Sequence, residues 1–198
     1  MQRMGILGGS FDPIHEGHLR IALCARDQLK LDQVLFVPTA RSPFKQAKGY
    51  IASDADRLAM IRLAVQDIPE FKVSTWELEQ GGVSYTIDTL RHFEREYPAC
   101  DFFLLMGEDT YDGLEQWKNS AEIFQRARVV VAPRAGTENP RAARKPEESI
   151  HGPHYLSMPL CDASSTQLRV DLGQKREAAL SRLPEAVQHY IRAQGLYT

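Results

Sequence analysis

Short apolar segments alternate with segments of helical periodicity along this chain, and this alternation most constrains the fold. Strand-like runs are followed by helix-like ones, and the last part of the chain is helical. The strand-like runs are 4–7, 34–38, 71–78, 101–107, 129–133 and 154–160, and the helical patterns are 19–29, 53–65, 86–97, 164–172 and 183–197. This order predicts an α/β fold, a Rossmann-like doubly wound parallel sheet with helices on both faces.

Polar stretches follow the predicted strands, as GGSFD, TARSPFK, GEDT and APRAG. Ligands of open parallel sheets bind beyond the carboxyl ends of the strands, so the four stretches predict one shared site. Residues 135–150 are rich in proline, charge and small side chains, which predicts an exposed loop. The length of 198 residues favours a single domain, 1–198, with a helical portion from about residue 164.

Composition excludes several classes of function. The formal net charge is -2, so no global basic field indicates a nucleic-acid partner. Cys24, Cys100 and Cys161 form no CxxC pair, which argues against a disulfide scaffold or a structural zinc site. No apolar run is long enough to cross a bilayer. We therefore expect a cytoplasmic protein without a membrane partner, and the sequence leaves oligomer formation open.

The stretch GGSFDPIHEGH, residues 8–18, combines a glycine turn with two histidines. Gly8 and Gly9 follow the first strand, and Asp12 with the following proline predicts a helix start with Asp12 as its cap. His15 and His18 are three residues apart and share a face of the first turn. The stretch predicts an anion site at a helix N-terminus. Metal binding by the two histidines is the alternative, but the sequence places no third ligand and predicts no metal residue.

The stretch SSTQLR, residues 164–169, predicts a second helix start. Ser164 and Gln167 have the spacing of a capping box. The amides of Ser165 and Thr166 at the same helix start can also bind phosphate, and Arg169 is about one turn further on. Capping and phosphate binding are compatible here.

These two stretches resemble the motifs of the nucleotidyltransferase superfamily known by its HxGH sequence. GGSFDPIHEGH matches the pattern GxFDPxHxGH, and SSTQLR matches the second ATP motif, SSTxxR; the RTEGIST-like version of the cytidylyltransferase relatives is absent. The resemblance implies transfer of a nucleoside monophosphate from a triphosphate. It implies catalytic roles for His15, His18 and Arg169, and an ATP site that comprises Gly8, Gly9, Ser10, Phe11, His15, His18, Gly107, Asp109, Ser164, Ser165, Thr166 and Arg169.

Further pieces of the chain resemble bacterial nicotinate-nucleotide adenylyltransferases over nearly the whole length. These pieces are DRLAMIRLA, SYTIDTL, LLMGEDT, Trp117 and LPEAVQHYIRAQGLY. Phosphopantetheine adenylyltransferases share the first motif but lack the SYT and tryptophan pieces. The resemblance implies that nicotinate mononucleotide contacts Lys45, Ser84, Tyr85, Thr86, Trp117, Lys118 and Arg134.

Several of these residues also have an ordinary structural interpretation. Ser84, Tyr85 and Thr86 open a predicted helix whose amides suit a carboxylate, although a plain cap fits as well. Trp117 can pack in the core, and Lys45 or Lys118 can point to solvent. Phe44 stands where the family often has histidine, and Lys118 where it often has an aromatic residue. Asp109 can cap the following helix.

The resemblance implies the reaction ATP + nicotinate mononucleotide → nicotinate adenine dinucleotide + pyrophosphate, a step in NAD biosynthesis. Mg²⁺ is expected to arrive with ATP, because the sequence shows no carboxylate cage. Two alternatives stay open at this point. The acceptor can be nicotinamide mononucleotide or another phosphate, or the chain can be a nucleotide sensor without activity.

Overall fold

The computed structural model describes residues 1–44, 50–133, 152–159 and 163–198. The strands are β1 (Gln2–Gly9), β2 (Gln33–Pro38), β3 (Phe71–Val73), β4 (Cys100–Gly107), β5 (Arg128–Ala132) and β6 (His154–Tyr155). The helices are α1 (Glu16–Leu29), α2 (Asp54–Val65), α3 (Trp76–Gln80), α4 (Thr86–Glu96), α5 (Glu108–Tyr111), α6 (Ser120–Arg126), α7 (Ser165–Gly173), α8 (Glu177–Leu180) and α9 (Glu185–Gln194), with a 3₁₀ turn at Leu114–Gln116. Lys45, Arg134, Cys161 and the predicted loop 135–150 lie outside the described residues.

The strands form one parallel sheet in the order β3-β2-β1-β4-β5-β6. The chain builds outward from β1 to β3 and then returns to the other side of β1 with β4. The strand order therefore reverses between β1 and β4, and a crevice opens beyond their carboxyl ends. The prediction of a doubly wound α/β fold is confirmed.

Side chains of the central strands alternate between two apolar layers. Met4 and Ile6 of β1 pack with α4 and α6 on one face, whereas Leu7 packs with α1, α2 and α9 on the other. Gly5 faces the second layer, where a Cβ would lie 2.9 Å from Leu31 Cδ1. Because both faces are covered, the strands are continuous apolar runs rather than alternating ones.

The predicted strand 71–78 is wrong in its second half. β3 ends at Val73, and residues from Trp76 to Gln80 form α3. The Ser74 amide donates the last sheet hydrogen bond, to Phe36 O at 3.0 Å, and the chain leaves the sheet after it. Glu77 rather than Trp76 is then the buried residue. Of the predicted strand 154–160, residues 154–159 are described, and among these only the two residues of β6 are strand.

None of the helices in the described part of the chain has the length and apolar character that a bilayer crossing requires. That residues 1–198 form one domain stays a prediction.

Candidate active site

A cavity of about 780 Å³ lies beyond the carboxyl ends of β1 and β4, where the strand order reverses. Residues of both predicted groups line it. From the predicted ATP site these are Gly8, Gly9, Ser10, His15, His18, Gly107, Asp109, Ser164, Ser165 and Thr166. From the predicted mononucleotide site they are Ser84, Tyr85, Thr86, Trp117 and Lys118.

His15 and His18 pack against each other at the start of α1, with ring centroids 3.8 Å apart. His15 is the N-cap residue, and its Nδ1 accepts from the Gly17 amide at 3.2 Å. His18 Nδ1 accepts from the His15 amide at 3.2 Å. The two rings thus form a reciprocal capping box in which imidazoles replace the usual hydroxyl and carboxylate. Since each Nδ1 is an acceptor, the proton of each ring is assigned to Nε2.

Burial sets the charge of His15. Its side chain is 5% exposed, and this burial lowers the pKa of His15 from 6.5 to about 4. At neutral pH the ring is therefore a neutral donor through Nε2. A neutral donor can bind a phosphate oxygen through a hydrogen bond of defined geometry, without contributing a net charge.

The predicted helix start at Asp12 is wrong, because α1 begins at Glu16. The Asp12 carboxylate instead accepts from the amides of Ile51 and Ala52, at 3.0 and 3.1 Å. The first amides of α1 also have partners inside the protein, since Glu16 donates to Arg182 O and Gly17 to His15. The first turn of α1 therefore presents imidazoles rather than amides.

The start of α7 differs in this respect. Ser164 is the N-cap residue but makes no side-chain capping bond, and Gln167 donates to Asp171 instead. The predicted capping box is wrong, because Ser164 makes no capping bond and Gln167 bonds within the helix to Asp171. The first amides of a helix have no intrahelical partner, so those of Ser165 and Thr166 suit an anion in the cavity.

Hydrogen bonds join the two motifs across more than 150 positions of sequence. Ser165 Oγ donates to Pro13 O at 3.0 Å. Arg169 donates from Nη1 to Asp12 O at 2.7 Å and from Nη2 to Thr166 Oγ1 at 3.3 Å. Arg169 is not among the residues that line the cavity. Its placement in this structure is at the junction of the motifs.

Phe11 is also absent from the cavity wall, although the resemblance places it in the ATP site. It is fully buried, and its ring contacts the His18 ring edge-on with centroids 4.9 Å apart. A Cβ on Gly9 would lie 3.2 Å from the Phe11 ring. Phe11 therefore stabilises the turn that carries the two histidines by packing against the His18 ring. Asp109 lies within α5, whose N-cap is Gly107, so the alternative of a helix cap does not hold for Asp109.

The SYT segment opens α4 at Thr86, with Tyr85 as the N-cap and no side-chain capping bond. Ser84 Oγ accepts from the Ala40 amide at 3.1 Å, so the segment is not a plain cap. Lys118 lies over the Tyr85 ring, 4.4 Å from its centroid, and pairs with Asp88 at 2.8 Å. Asp88 also pairs with Arg91 at 3.2 Å, so Lys118 shares its partner with a second cation. The positive end of α4 is present beside both.

Trp117 is half-buried beside this helix start. It packs against the apolar layer of α4 and also lines the cavity. The Phe44 ring lies 6.4 Å from the Trp117 ring between centroids. Both the packing role and the cavity role of Trp117 therefore fit the structure.

Glu77 is a cavity residue that the sequence did not indicate. It is buried, its Oε1 accepts from Thr89 Oγ1 at 2.6 Å, and its Oε2 has no hydrogen-bond partner among the described residues. Burial raises the pKa of Glu77, opposed by the Thr89 hydrogen bond and, more weakly, by the nearby Ser84 hydroxyl and the Arg57 charge. In the predicted strand 71–78, Glu77 would have shared a face with Phe71 and Val73. A carboxylate on the same face as two apolar side chains does not fit a buried strand, and this was the sign in the sequence that the strand ends earlier.

The described part of the chain offers no cluster of side chains suited to hold a metal ion. No group of three or more histidine, cysteine or acidic side chains there is arranged to hold an ion. His15 and His18 direct their Nδ1 atoms to backbone amides, as described above, rather than to a common ion.

Comparisons with known proteins agree with this architecture. Residues 6–170 match the cytidylyltransferase-like family. The fold is shared with a Plasmodium falciparum nicotinic acid mononucleotide adenylyltransferase, solved in complex with APC, at a TM-score of 0.77 and 17% identity over 100% of this chain and 98% of that one. The same protein in complex with NaAD gives a TM-score of 0.75 and 19% identity, again over 100% and 98%.

Curated relatives are similar over nearly their whole length. A protein of Chlorobaculum parvum is 42% identical over 98% of both chains, and one of Herpetosiphon aurantiacus is 41% identical over 100% of this chain and 99% of the relative. One from Citrifermentans bemidjiense is 40% identical over 98% of both. Each is named "Probable nicotinate-nucleotide adenylyltransferase". The chain belongs to the nicotinate-nucleotide adenylyltransferase family.

Proposed function

We propose that this protein transfers the adenylyl group of ATP to nicotinate mononucleotide and releases pyrophosphate. The product, nicotinate adenine dinucleotide, is an intermediate of NAD biosynthesis. One observation carries the proposal: motifs from opposite ends of the chain, GGSFDPIHEGH and SSTQLR, line one cavity and are hydrogen-bonded to each other. The names of the full-length relatives support the same reaction.

The chemistry requires no nucleophile from the protein. An oxygen of the mononucleotide 5′-phosphate forms a bond to the α-phosphorus of ATP, while the bond from that phosphorus to the bridging β-oxygen breaks. Pyrophosphate leaves with the electron pair. Catalysis then consists of alignment and of stabilising charge on the phosphates.

We assign the triphosphate to the β1 end of the cavity. His15 and His18 donate to phosphate oxygens, with His18 at the α-phosphate, and the Ser165 and Thr166 amides hold the β and γ phosphates. Gly8 supports this assignment because a Cβ there would meet nothing within 4 Å, so the wall is open at that point. The guanidinium group of Arg169 has five N–H donors, and its bonds to Asp12 and Thr166 use two of them. In this assignment the remaining N–H groups donate to the departing pyrophosphate. Asp109, Ser10 and Gly107 contact the nucleotide.

We assign the nicotinate group to the start of α4. A carboxylate suits the uncapped amides there, and Trp117 offers a stacking face for the pyridine ring. Contacts by Lys45 and Arg134 stay predictions.

Divalent metal accompanies the nucleotide in this proposal. Mg²⁺ enters as part of the ATP substrate, since the described residues supply no cage of their own. We also place the reaction in the cytoplasm, which is consistent with the unpaired, separated cysteines of the sequence.

Acid and amide mononucleotides, assayed side by side with ATP, test the proposal. Purified protein is expected to release pyrophosphate and form the dinucleotide with a higher kcat/KM for the acid. A higher kcat/KM for the amide would overturn the substrate assignment. Binding of both substrates without pyrophosphate release would instead identify a nucleotide sensor. A reaction without mononucleotide controls for hydrolysis of ATP.

A further inference from the structure

The carboxylate of Asp12 connects the histidine turn to the C-terminal end of the chain. Asp12 is 2% exposed. Its Oδ1 accepts from the Tyr197 hydroxyl at 2.7 Å and from the Ala52 amide at 3.1 Å, and its Oδ2 accepts from the Ile51 amide at 3.0 Å. A buried carboxylate needs such donors, and charge-assisted bonds of this length are strong ones.

Tyr197 is held in a restrictive conformation at this point. Its side chain is 7% exposed, and its φ of 63° lies in the left-handed region. A residue with a Cβ adopts that region at an energetic cost, so other contacts must stabilise it. Burial, and to a lesser extent the bond to Asp12, raises the pKa of Tyr197. The hydroxyl therefore remains a donor at neutral pH.

The main chain around Asp12 is fixed by bonds from distant elements. Arg57 donates to Ser10 O at 2.6 Å, Arg169 to Asp12 O at 2.7 Å and Ser165 to Pro13 O at 3.0 Å. On either side of Asp12 the chain leads to the histidines: Phe11 contacts the His18 ring, and His15 is three residues further on. A displacement of Asp12 is therefore transmitted to both imidazoles.

We propose that Tyr197 is a positioning residue for adenylyl transfer: its hydroxyl holds the Asp12 carboxylate and thereby fixes the turn that carries His15 and His18. This role rests on the proposed function. It makes the last residues of the chain part of the active-site framework, although Tyr197 does not line the cavity.

The test compares two tyrosine-to-phenylalanine variants. Tyr197→Phe keeps the ring and removes the bond to Asp12. Tyr190→Phe is the matched control, because the Tyr190 hydroxyl donates to Asp56 at 2.9 Å and Tyr190 lies in α9, outside the cavity wall. Tyr197→Phe is expected to lower kcat roughly tenfold with little change in either KM, since small misalignment of a catalytic group costs rate. Tyr190→Phe is expected to keep the wild-type kcat.

Imidazole signals provide a readout that does not depend on turnover. In ¹⁵N-histidine-labelled protein, Tyr197→Phe is expected to shift the resonances of His15 and His18, and Tyr190→Phe is not. Both variants are measured at a temperature well below the midpoint of their thermal unfolding. Equal kcat values for the two variants, or unchanged His15 and His18 signals in Tyr197→Phe, would overturn the positioning role. A wild-type protein without pyrophosphate release would refute the proposed function, while the imidazole signals would still decide the role of Tyr197.

Asp12→Ala, which removes the acceptor of the Tyr197 hydroxyl, supplies a further check. If the hydroxyl acts through the carboxylate, Tyr197→Phe should reduce kcat less in the Asp12→Ala background than in the wild type. Additive effects of the two substitutions would contradict that route.

Discussion

The buried imidazole of His15 predicts a specific dependence of stability on pH. Its pKa in the folded protein is about 4, against 6.5 in the unfolded chain. Between these two values the unfolded state binds more protons than the folded state. The free energy of unfolding therefore falls as the pH is lowered from 6.5 towards 4, and His15 adds no further loss below that range.

The size of the effect follows from the two pKa values. Over the full range the loss is about 3 kcal/mol. From about pH 7.5 to about pH 5 it is about 2 kcal/mol, because the ring is still mostly neutral in the folded protein at the lower pH. His15→Asn should remove this part of the pH dependence. Asparagine is a good N-cap residue, so the substitution keeps an acceptor for the Gly17 amide.

Urea unfolding at the two pH values measures the difference. Wild type is expected to lose about 2 kcal/mol more than His15→Asn on going to the lower pH. His189→Asn, on the exposed side of α9, controls for the loss of an imidazole as such. Equal losses in wild type and His15→Asn would refute the neutral, buried state of the ring.

Three further substitutions test the cavity. Glu77→Gln should abolish a fall in unfolding free energy as the pH rises above 4.5, because burial raises the pKa of Glu77 from that value; urea titrations that show the same slope in variant and wild type would contradict this. Trp117→Ala should raise the KM for nicotinate mononucleotide more than that for ATP, and an unchanged mononucleotide KM would remove the stacking role. His18→Ala should lower kcat by about 100-fold or more with a much smaller change in mononucleotide affinity; steady-state kinetics and binding titrations separate the two.

The sheet was predictable because its strands are apolar on both faces. Runs such as 101–107 have no helical alternative of sufficient length, so their identity as strands follows from periodicity and flanking glycines. The error at 71–78 has a different origin. There an alternating pattern was compatible with a strand, but the strand pairing ends with the Ser74 bond to Phe36 O, and Glu77 is buried within a short helix. Those contacts are tertiary and leave little trace in local sequence.

The lining of the cavity was predictable where its residues form contiguous motifs at strand ends, and their contacts with substrate stay predictions. The contacts of Tyr197 and Arg57 were not predictable, because they join residues that are 185 and 47 positions apart. Arg57 is fully buried and donates to Ser10 O and Thr39 O, the carbonyls that follow β1 and β2. In the sequence it reads as an ordinary polar position of a helix. Asp12 was assigned to a helix cap for the same reason, since its real partners are 39 or more residues away.

On the proposed assignment, the histidines stand at a place where many phosphate sites have lysine. The first amides of α1 donate within the protein, so α1 offers imidazole donors and α7 offers amides. On the proposed assignment the phosphates are held by directional hydrogen bonds, and Arg169 contributes a fixed positive charge. Coulomb attraction between the protein and pyrophosphate must be overcome when pyrophosphate leaves. A neutral His15 adds nothing to that attraction. A site built this way stabilises the transferring phosphate by alignment and retains less hold on the product.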